Sequence, residues 1–383
     1  MMNHPQTPLS ASIAAAPAIV YLAMELGVDK WHLRFSNGRR HRNRVIEARD
    51  LTALWQEIEM AKQKLEVPAG ALVVSCYEAG RDGHWLHRAL WAHGVHNLEV
   101  TSTSIKVNQQ GKHRKTDRLD LGALLQQLSH YVQGEREALQ VVHVPSPEDE
   151  DEQRPERELR RLKEERTRHT NRLSSALIRF GIRLERVGGA GWAKRVAALR
   201  DWAGEPLAVH TQRQLVRENE RLDLVQRQIK ELEAQRDQQI AEGEGSKLQQ
   251  VRQLMGLRGL GPVTSWSLVM ELYGWRRFHN RRQIGALAGL VGTPYQSGQS
   301  TREQGISKAG NPRVRALAIE LAWMWVRLQP NSRWTRWFEE RFAHGSKRMR
   351  KIGIVGVARH LLIDLWRYLE NGTLPEGAEL KAV

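Results

Sequence analysis

The sequence predicts an α/β domain over residues 17–145, a helical arm over 146–245 and a mainly α-helical domain over 246–383. In the first part, short apolar runs bounded by turn residues alternate with stretches of helical spacing, which is typical of mixed α/β folds. In the second, apolar residues recur in steps of three and four between charged ones. In the third, glycine and proline separate apolar, tryptophan-containing helical stretches. A chain of 383 residues is long enough for two or three hydrophobic cores.

Composition limits the classes of function. The formal net charge of +16 indicates a polyanionic partner, most simply nucleic acid. Cys76 is the single cysteine, which excludes a disulfide framework and a cysteine-based zinc site and suits a reducing cytoplasm. The apolar stretch 9–24 has no basic segment before it, contains Pro17 and leads directly into Glu25, so we interpret it as neither a signal peptide nor a membrane span. We expect a disordered tail over residues 1–16 and no membrane partner.

The first domain has the order three strands, helix, strand, helix, strand and helix. A three-strand meander followed by crossover helices is the ribonuclease H-like order, in which the first and fourth strands are neighbours. The parallel strands of such a sheet bind ligands at their carboxyl ends. The predicted strands are 18–26, 31–35, 42–48, 71–77 and 98–101, and the predicted helices are 50–65, capped by Asp50, 83–93 and 120–132.

Four acidic residues occupy the ends of these elements. Glu25 ends the first strand and Glu78 follows the fourth, while Asp117 and Asp120 open the last helix, three residues apart on one face. The topology allows all four to converge at one end of the sheet. Four carboxylates can hold two divalent ions about 3.5–4 Å apart, and their hard oxygen ligands suit Mg²⁺ or Mn²⁺ in phosphodiester chemistry. The plain alternative is a solvated helix start at which the helix dipole favours Asp117.

Basic residues border the two aspartates. They lie just before the last helix of the first domain and in its first turn, where they are suited to neutralise a nucleic-acid backbone that passes the acidic residues. A solvated basic loop is the alternative. The candidates are Lys112, Arg114, Lys115 and Arg118.

The middle of the chain begins with a proline-bounded acidic segment, 145–155, which we interpret as a linker at a domain boundary. Helical spacing then extends over 157–180 and 212–240, with Leu222 and Ile229 in the second apolar seam. Both stretches are typical of coiled-coil helices or of an antiparallel helical hairpin. We expect this arm to drive self-association, with nucleic acid on its basic flanks; a helical spacer is the alternative.

Two segments of the last domain are candidates for contacts with nucleic acid. The stretch 255–263 resembles a helix-hairpin-helix turn, in which Gly259 and Gly261 let the backbone approach a phosphate. A plain helical connector is the alternative. Further along, a predicted helix over 281–290 precedes a predicted loop over 292–310, which is rich in glycine, serine and lysine.

The predicted loop contains Ser297 and Lys308. Ser297 precedes a glycine, which suits an exposed and mobile nucleophile, although most loop serines have no such role and no base stands beside it in the sequence. Lys308 is a candidate phosphate contact. Asn311 is expected to cap the following helix, with Pro312 at the first helical position.

Four landmarks together carry a resemblance to a known family. They are Tyr77-Glu78-Ala79-Gly80 with Trp85-Leu86, the run 115–120, the stretch from Gly289-Leu290 to Ser297-Gly298, and the run 305–311. In this order and spacing they resemble the DEDD-type insertion-sequence transposases, relatives of the Piv-like DNA invertases, over nearly the whole chain. The resemblance implies a RuvC-like N-terminal domain, a coiled coil and a C-terminal domain with a catalytic serine. It also implies a non-coding bridge RNA that pairs with donor and target DNA.

The resemblance assigns roles to individual residues. The acidic tetrad corresponds to Glu25, Glu78, Asp117 and Asp120, and Ser297 to the nucleophile that attacks the phosphodiester and becomes covalently linked to DNA. The family usually has aspartate at the first position, where this chain has Glu25. The only nearby aspartate falls in the following turn, so we expect the glutamate to take that position. Serine and acids lie in separate domains, and the resemblance implies a composite site shared between protomers; we expect a homodimer or homotetramer.

Two other classes of function remain open. A metal-dependent, structure-specific nuclease that only hydrolyses DNA would keep the acidic residues and would not need Ser297. A non-catalytic nucleic-acid-binding protein, descended from such a transposase, would bind RNA and cleave nothing.

Overall fold

The computed structural model describes residues 18–80, 82–101, 117–297 and 300–381, with side chains described at all of these except 117–120, 294–297 and 300–304. The predicted tail over 1–16 lies outside these residues, as do the candidate phosphate contacts Lys112, Arg114 and Lys115.

The chain divides into two compact units, and the first, Met1–Val144, is built on a five-stranded sheet. Its strands are β1 (Ile19–Leu26), β2 (Lys30–Ser36), β3 (His41–Glu47), β4 (Leu72–Glu78) and β5 (His96–Val100). The strand order is β3-β2-β1-β4-β5. Both neighbours of β2 run antiparallel to it, whereas β4 runs parallel to β1 and β5. The predicted meander and the predicted pairing of the first strand with the fourth are confirmed.

Helices cover both faces of this sheet. They are α1 (Leu51–Lys64), α2 (Trp85–Ala92) and α3 (Asp117–Val132). Leu22 and Met24 of β1 pack with apolar residues of α1 and α2, while Tyr21 and Ala23, which alternate with them, pack with those of α3. The side chain of Asp50 caps α1, as predicted. The sheet is therefore buried on both sides, and α3 alone covers one face among the described helices.

The second unit, Pro145–Val383, is mainly helical. Its helices are α4 (Pro147–Glu152), α5 (Arg154–Ile178), α6 (Trp192–Ala198), α7 (Val209–Glu242), α8 (Ser246–Met255), α9 (Pro262–Leu268), α10 (Arg281–Leu287), α11 (Pro312–Leu328), α12 (Arg333–Phe338) and α13 (Lys347–Asn371), and its strands are β6 (Gly292–Ser297) and β7 (Ser300–Ile306). No helix within the described ranges has both the length and the apolar character needed to cross a membrane.

The segment 145–155, which we interpreted as a linker at a domain boundary, begins where the second unit begins and contains the short helix α4. Ser146 and Asp149 form a reciprocal capping box: the Ser146 hydroxyl accepts from the Asp149 amide at 3.0 Å, and the Asp149 carboxylate accepts from the Ser146 amide. The acidic first turn of α4 is further favoured by the helix dipole. Asp149 also accepts a hydrogen bond from Lys247, which ties α4 to α8.

The two long helices α5 and α7 pack against each other in antiparallel directions. Lys163 pairs with Glu233 at 2.8 Å, and His169, further along α5, contacts Glu218, which lies earlier in α7, also at 2.8 Å. The antiparallel hairpin that the sequence allowed is therefore present.

The apolar seam of this hairpin is filled from within one chain. Leu222 is 1% exposed and packs with Leu173 of α5, and Ile229 packs with Leu162 of the same helix. These are the residues through which we expected self-association. Because they already contact the neighbouring helix, any self-association must use other surfaces of the arm.

The predicted loop over 292–310 is also wrong in its first part. Strands β6 and β7 form an antiparallel hairpin, with Ser297 paired to Ser300. Below it, two backbone hydrogen bonds close the base, from the Ser307 amide to Val291 and from the Lys308 amide to Gly289. The next helix begins as predicted, because the Asn311 side chain caps α11.

Candidate active site

Glu25 and Glu78 lie at the carboxyl ends of neighbouring parallel strands. The β1–β4 register pairs Ala23 with Cys76 and Met24 with Tyr77. One further step in this register sets Glu25 opposite Glu78, and adjacent strands are about 4.8 Å apart. Two of the four predicted acidic residues therefore share one edge of the sheet.

Both carboxylates belong to the face that α3 covers. Ala23 and Cys76 pack in the core beneath α3, and each lies two residues before one of the acids, so strand alternation directs Glu25 and Glu78 to the same side. Asp117 and Asp120 occupy the first turn of α3, but their side chains lie outside the described ones. Among the described side chains, no three His, Cys, Asp or Glu residues are grouped closely enough for a metal ion.

Two basic residues of β2 lie on the same face and were missed from the sequence. His32 is the cross-strand partner of Glu25, and Arg34 is the partner of Ala23. The Arg34 guanidinium extends to α3, where its Nη1 lies 3.3 Å from the position that a Cβ at Gly122 would occupy. The alternation of Trp31, Leu33 and Phe35 could have predicted this position, because it assigns the residues between them to the opposite face of the sheet.

A buried polar cluster, Tyr77–Glu99–His84, lies on the other face of the sheet, beside the strand that ends in Glu78. Glu99 is 1% exposed, and its two carboxylate oxygens accept from the Tyr77 hydroxyl and contact His84 Nδ1, each at 2.7 Å. Burial raises the pKa of the Tyr77 phenol, and the Glu99 carboxylate raises it further. Tyr77 therefore remains a neutral hydrogen-bond donor.

The buried cluster continues towards β5 and α2. The Ser75 hydroxyl donates to Asn97 Oδ1 at 2.8 Å, and Asn97 Nδ2 lies 3.0 Å from His87 Nδ1. Burial lowers the pKa of His87 to about 4, although the nearby Glu99 opposes this effect. His87 is therefore neutral near pH 7. This cluster was not predictable from the sequence, because an acidic residue in the middle of a short strand is normally solvated.

Ser297 is the last residue of β6, and its side chain lies outside the described ones. Its backbone is paired in a β-ladder, so the mobile, glycine-flanked loop that we expected around it is replaced by a hairpin. Lys308 lies beyond the hairpin, is exposed, and adopts a positive φ of 55°. The carbonyl of Lys308 accepts from Arg315 at 3.0 Å, which holds this turn on α11.

The turn between α8 and α9 contains Gly259 and Gly261, as predicted. Gly259 has a φ of 91°, a conformation that favours glycine, and Gly261 is the cap residue of α9. The C-terminal segment covers part of this turn: the Arg258 amide donates to the Glu379 carbonyl at 3.0 Å. That donor is consequently used within the chain, and contacts of the two glycines with phosphate remain a prediction.

Comparison with known proteins assigns the chain to a family. A family model described as Transposase IS116/IS110/IS902 family matches residues 251–335, which include the β6–β7 hairpin. The chain is 35% identical to the putative transposase y4rJ of Sinorhizobium fredii, across 99% of its own length and 98% of that protein. It is 24% identical to the transposase for insertion sequence element IS1328 of Yersinia enterocolitica, across 80% of this chain and 84% of the relative. The chain is therefore an insertion-sequence transposase. It belongs to the IS116/IS110/IS902 family.

Proposed function

We propose that this transposase cuts and rejoins DNA, using an acidic site in its first unit and the hydroxyl of Ser297 in its second. The observation that carries the proposal is the parallel pairing of β1 with β4, whose register leads to Glu25 and Glu78 at neighbouring carboxyl ends. Ligand sites in sheets of this kind lie at the carboxyl ends of the strands. The order of antiparallel meander and parallel strands favours the ribonuclease H-like, RuvC-like assignment of this domain.

The donor set of the proposed acidic site suits a hard divalent cation. Glu25, Glu78, Asp117 and Asp120 would hold Mg²⁺ or Mn²⁺, which when bound supplies positive charge beside the phosphate being transferred. The longer side chain of Glu25 reaches about one methylene further than the usual aspartate. Arg34 extends over the same face and would add a fixed positive charge for the DNA backbone.

In the proposed reaction, the Ser297 hydroxyl attacks the phosphodiester, and its oxygen replaces one of the two DNA oxygens on phosphorus. The displaced strand end leaves as a hydroxyl, which takes up the proton that the serine loses, and the protein holds the other end covalently until rejoining. A serine hydroxyl at its free pKa is a weak nucleophile and requires activation. The backbone of Ser297 is the last of β6 to pair with β7, which places this residue at the end of the hairpin strand.

The proposed partners are donor and target DNA and a non-coding guide RNA, bound by a homodimer or homotetramer. The net charge of +16 supports a nucleic-acid partner, and the guide RNA rests on the family resemblance. We assign α5 and α7 to the coiled-coil arm of the family. The residues proposed to contact the nucleic-acid backbone are Lys112, Arg114, Lys115, Arg118, Gly259, Gly261 and Lys308.

Incubation of the protein with its guide RNA, end-labelled DNA and Mg²⁺, followed by a denaturing gel, tests this proposal. We expect a labelled band at the mass of the protein. Glu78→Gln should abolish it without changing RNA binding, because a neutral amide is a poor ligand for Mg²⁺. Ser297→Ala should also abolish the band, whereas Ser300→Ala, across the hairpin, is the matched control and should retain it.

Two results would contradict the mechanism. Free cleaved DNA from both the wild type and Ser297→Ala would favour a hydrolytic nuclease that uses only the acidic site. RNA binding without cleavage in either Mg²⁺ or Mn²⁺ would favour a non-catalytic nucleic-acid-binding protein.

A further inference from the structure

Trp202 is the most exposed of the large apolar side chains in the described residues, at 84% of its surface. It lies in the turn between α6 and α7, at the far end of the helical hairpin. Burying a large apolar side chain normally stabilises a protein by about 1.5–3 kcal/mol, so an indole that is exposed to this extent can stabilise a contact with a partner.

The fold of the hairpin tip does not require Trp202. Its small core is closed by a different tryptophan, Trp192, which is 2% exposed and donates its indole N–H to the Leu215 carbonyl at 3.0 Å. Leu177 and Val196 pack around Trp192 in the same core. Trp202 instead lies next to Gly181: its Cβ is 3.4 Å from the position that a Cβ would occupy if Gly181 carried a side chain.

The turn around Trp202 is held by several hydrogen bonds. The Asp201 carboxylate accepts from the amides of Ala203 and Glu205 at 2.8 and 3.0 Å, and the Asp201 amide donates to the Glu205 carbonyl at 2.8 Å. Gly204 completes the turn with a φ of 80°. The backbone that carries the indole is therefore organised before any partner binds, which lowers the entropy cost of a contact.

The surroundings of Trp202 are basic. Residues 179–205 contain six lysines and arginines against three aspartates and glutamates. Among the described residues, four exposed cations of this tip have no carboxylate within 4.0 Å. They are Arg179, Arg183, Arg186 and Lys194.

We propose that the tip of the hairpin binds a single-stranded segment of nucleic acid, with the Trp202 indole stacked on an unpaired base. Base–aromatic stacking together with a basic surface is how proteins bind single strands without reading their sequence. The unpaired cations favour this partner over an apolar protein surface, because a protein interface core is depleted of charge. The inference rests on the proposed nucleic-acid partner, but neither on the acidic site nor on Ser297.

Binding of labelled oligonucleotides to the full-length protein in EDTA tests this inference apart from cleavage. The probes are a 20-nucleotide single-stranded RNA, the single-stranded DNA of the same sequence and its duplex. Trp202→Ala should weaken binding of a single strand by about 5- to 150-fold, and Trp202→Phe should retain most of the affinity. Trp323→Ala is the matched control, since Trp323 is also partly exposed, at 42%, but packs edge-on against Phe338.

The two single-stranded arms identify the source of the base. A loss confined to RNA assigns the tip to the guide, a loss confined to DNA assigns it to a displaced DNA strand, and either supports the proposal. An affinity of Trp202→Ala equal to that of wild type for both single strands overturns it. If that variant instead has a lower mass by light scattering, the indole contacts a second copy of the chain. A wild-type protein that binds no probe contradicts the proposed function as well.

Discussion

The Tyr77 hydroxyl donates a 2.7 Å hydrogen bond to the carboxylate of Glu99, across the parallel pair β4–β5. Both side chains are 1% exposed. The next residue after Tyr77 is Glu78, a candidate metal ligand. The hydrogen bond thus connects the strand that presents this ligand to its outer neighbour in the sheet, on the face opposite the candidate site.

Tyr77→Phe should destabilise the first unit by about 2–3 kcal/mol, because it leaves one oxygen of a buried carboxylate without its donor. Denaturant unfolding of the full-length protein measures the loss. Tyr131→Phe is the matched control, since no hydrogen bond is described for that hydroxyl, and should cost less than about 0.5 kcal/mol. Equal effects of the two substitutions would contradict a stabilising role for the Tyr77–Glu99 bond.

Stability should fall as the pH decreases from about 6.5 to about 4, owing to His87. Its pKa in the folded protein is lowered to about 4, mainly by burial, so the unfolded chain takes up a proton in this window while the folded protein does not. The resulting decrease in the free energy of unfolding approaches about 3 kcal/mol at the acidic end of this range. Unfolding followed from pH 7 to pH 4.5 measures it. In His87→Gln this part of the slope should disappear, and an unchanged slope would exclude His87 as its source.

Arg157→Ala should be among the most destabilising changes in the second unit. Arg157 of α5 donates two hydrogen bonds, at 2.9 and 3.1 Å, to Glu271, which is 5% exposed. Removing one partner of such a pair leaves a buried charge and costs about 3–5 kcal/mol. Thermal unfolding should show the loss, whereas Arg168→Ala, which breaks the exposed pair with Glu165, should leave the midpoint within about a degree.

The two faces of α7 should respond differently to a charge. Leu222 is 1% exposed in the hairpin seam, and Leu224, two residues on, is 47% exposed. Leu222→Asp should cost about 3 kcal/mol or more and separate the hairpin, while Leu224→Asp should be nearly neutral. Circular dichroism measures the loss of helical structure, and light scattering measures the mass of the protein in solution. A Leu222→Asp protein that stays folded but loses mass would restore the seam as a self-association surface.

The glutamate at the first acidic position is tested by three substitutions. If Glu25 is a ligand, Glu25→Gln should abolish covalent DNA cleavage, as Glu78→Gln does. Glu25→Asp should retain activity, or raise it if the longer side chain weakens the site. Asp29→Asn should have no effect, because Asp29 lies in the turn between β1 and β2. A harmless Glu25→Gln combined with an inactive Asp29→Asn would mean that the first ligand had been misassigned.

Much of the candidate site was predictable from the sequence. Glu25 and Glu78 each stand at the end of an apolar strand, and the order of strands and crossover helices predicts that these two strands are neighbours. Those two inferences bring Glu25 and Glu78 to one edge. The β6–β7 hairpin was not predictable in this way, because its two strand sequences, GTPYQS and STREQGI, lack alternation of apolar and polar residues. Backbone pairing forms the hairpin, and two backbone hydrogen bonds close its base.

The sequence by itself determined the strands and helices of the first unit and the strand ends at which Glu25 and Glu78 lie, because the periods of strands and helices follow from local backbone geometry. Only the tertiary structure decided which polar groups are buried and what satisfies them. In the sequence, Glu99 resembles a surface residue. In the structure it is buried and accepts a hydrogen bond from Tyr77, 22 positions away. The apolar seam of α7 likewise resembles a dimer interface in the sequence, but in the structure it packs against α5 of the same chain. In both cases the group that makes the contact is distant in the sequence. The apolar or charged character of a residue does not by itself specify which distant group it will contact.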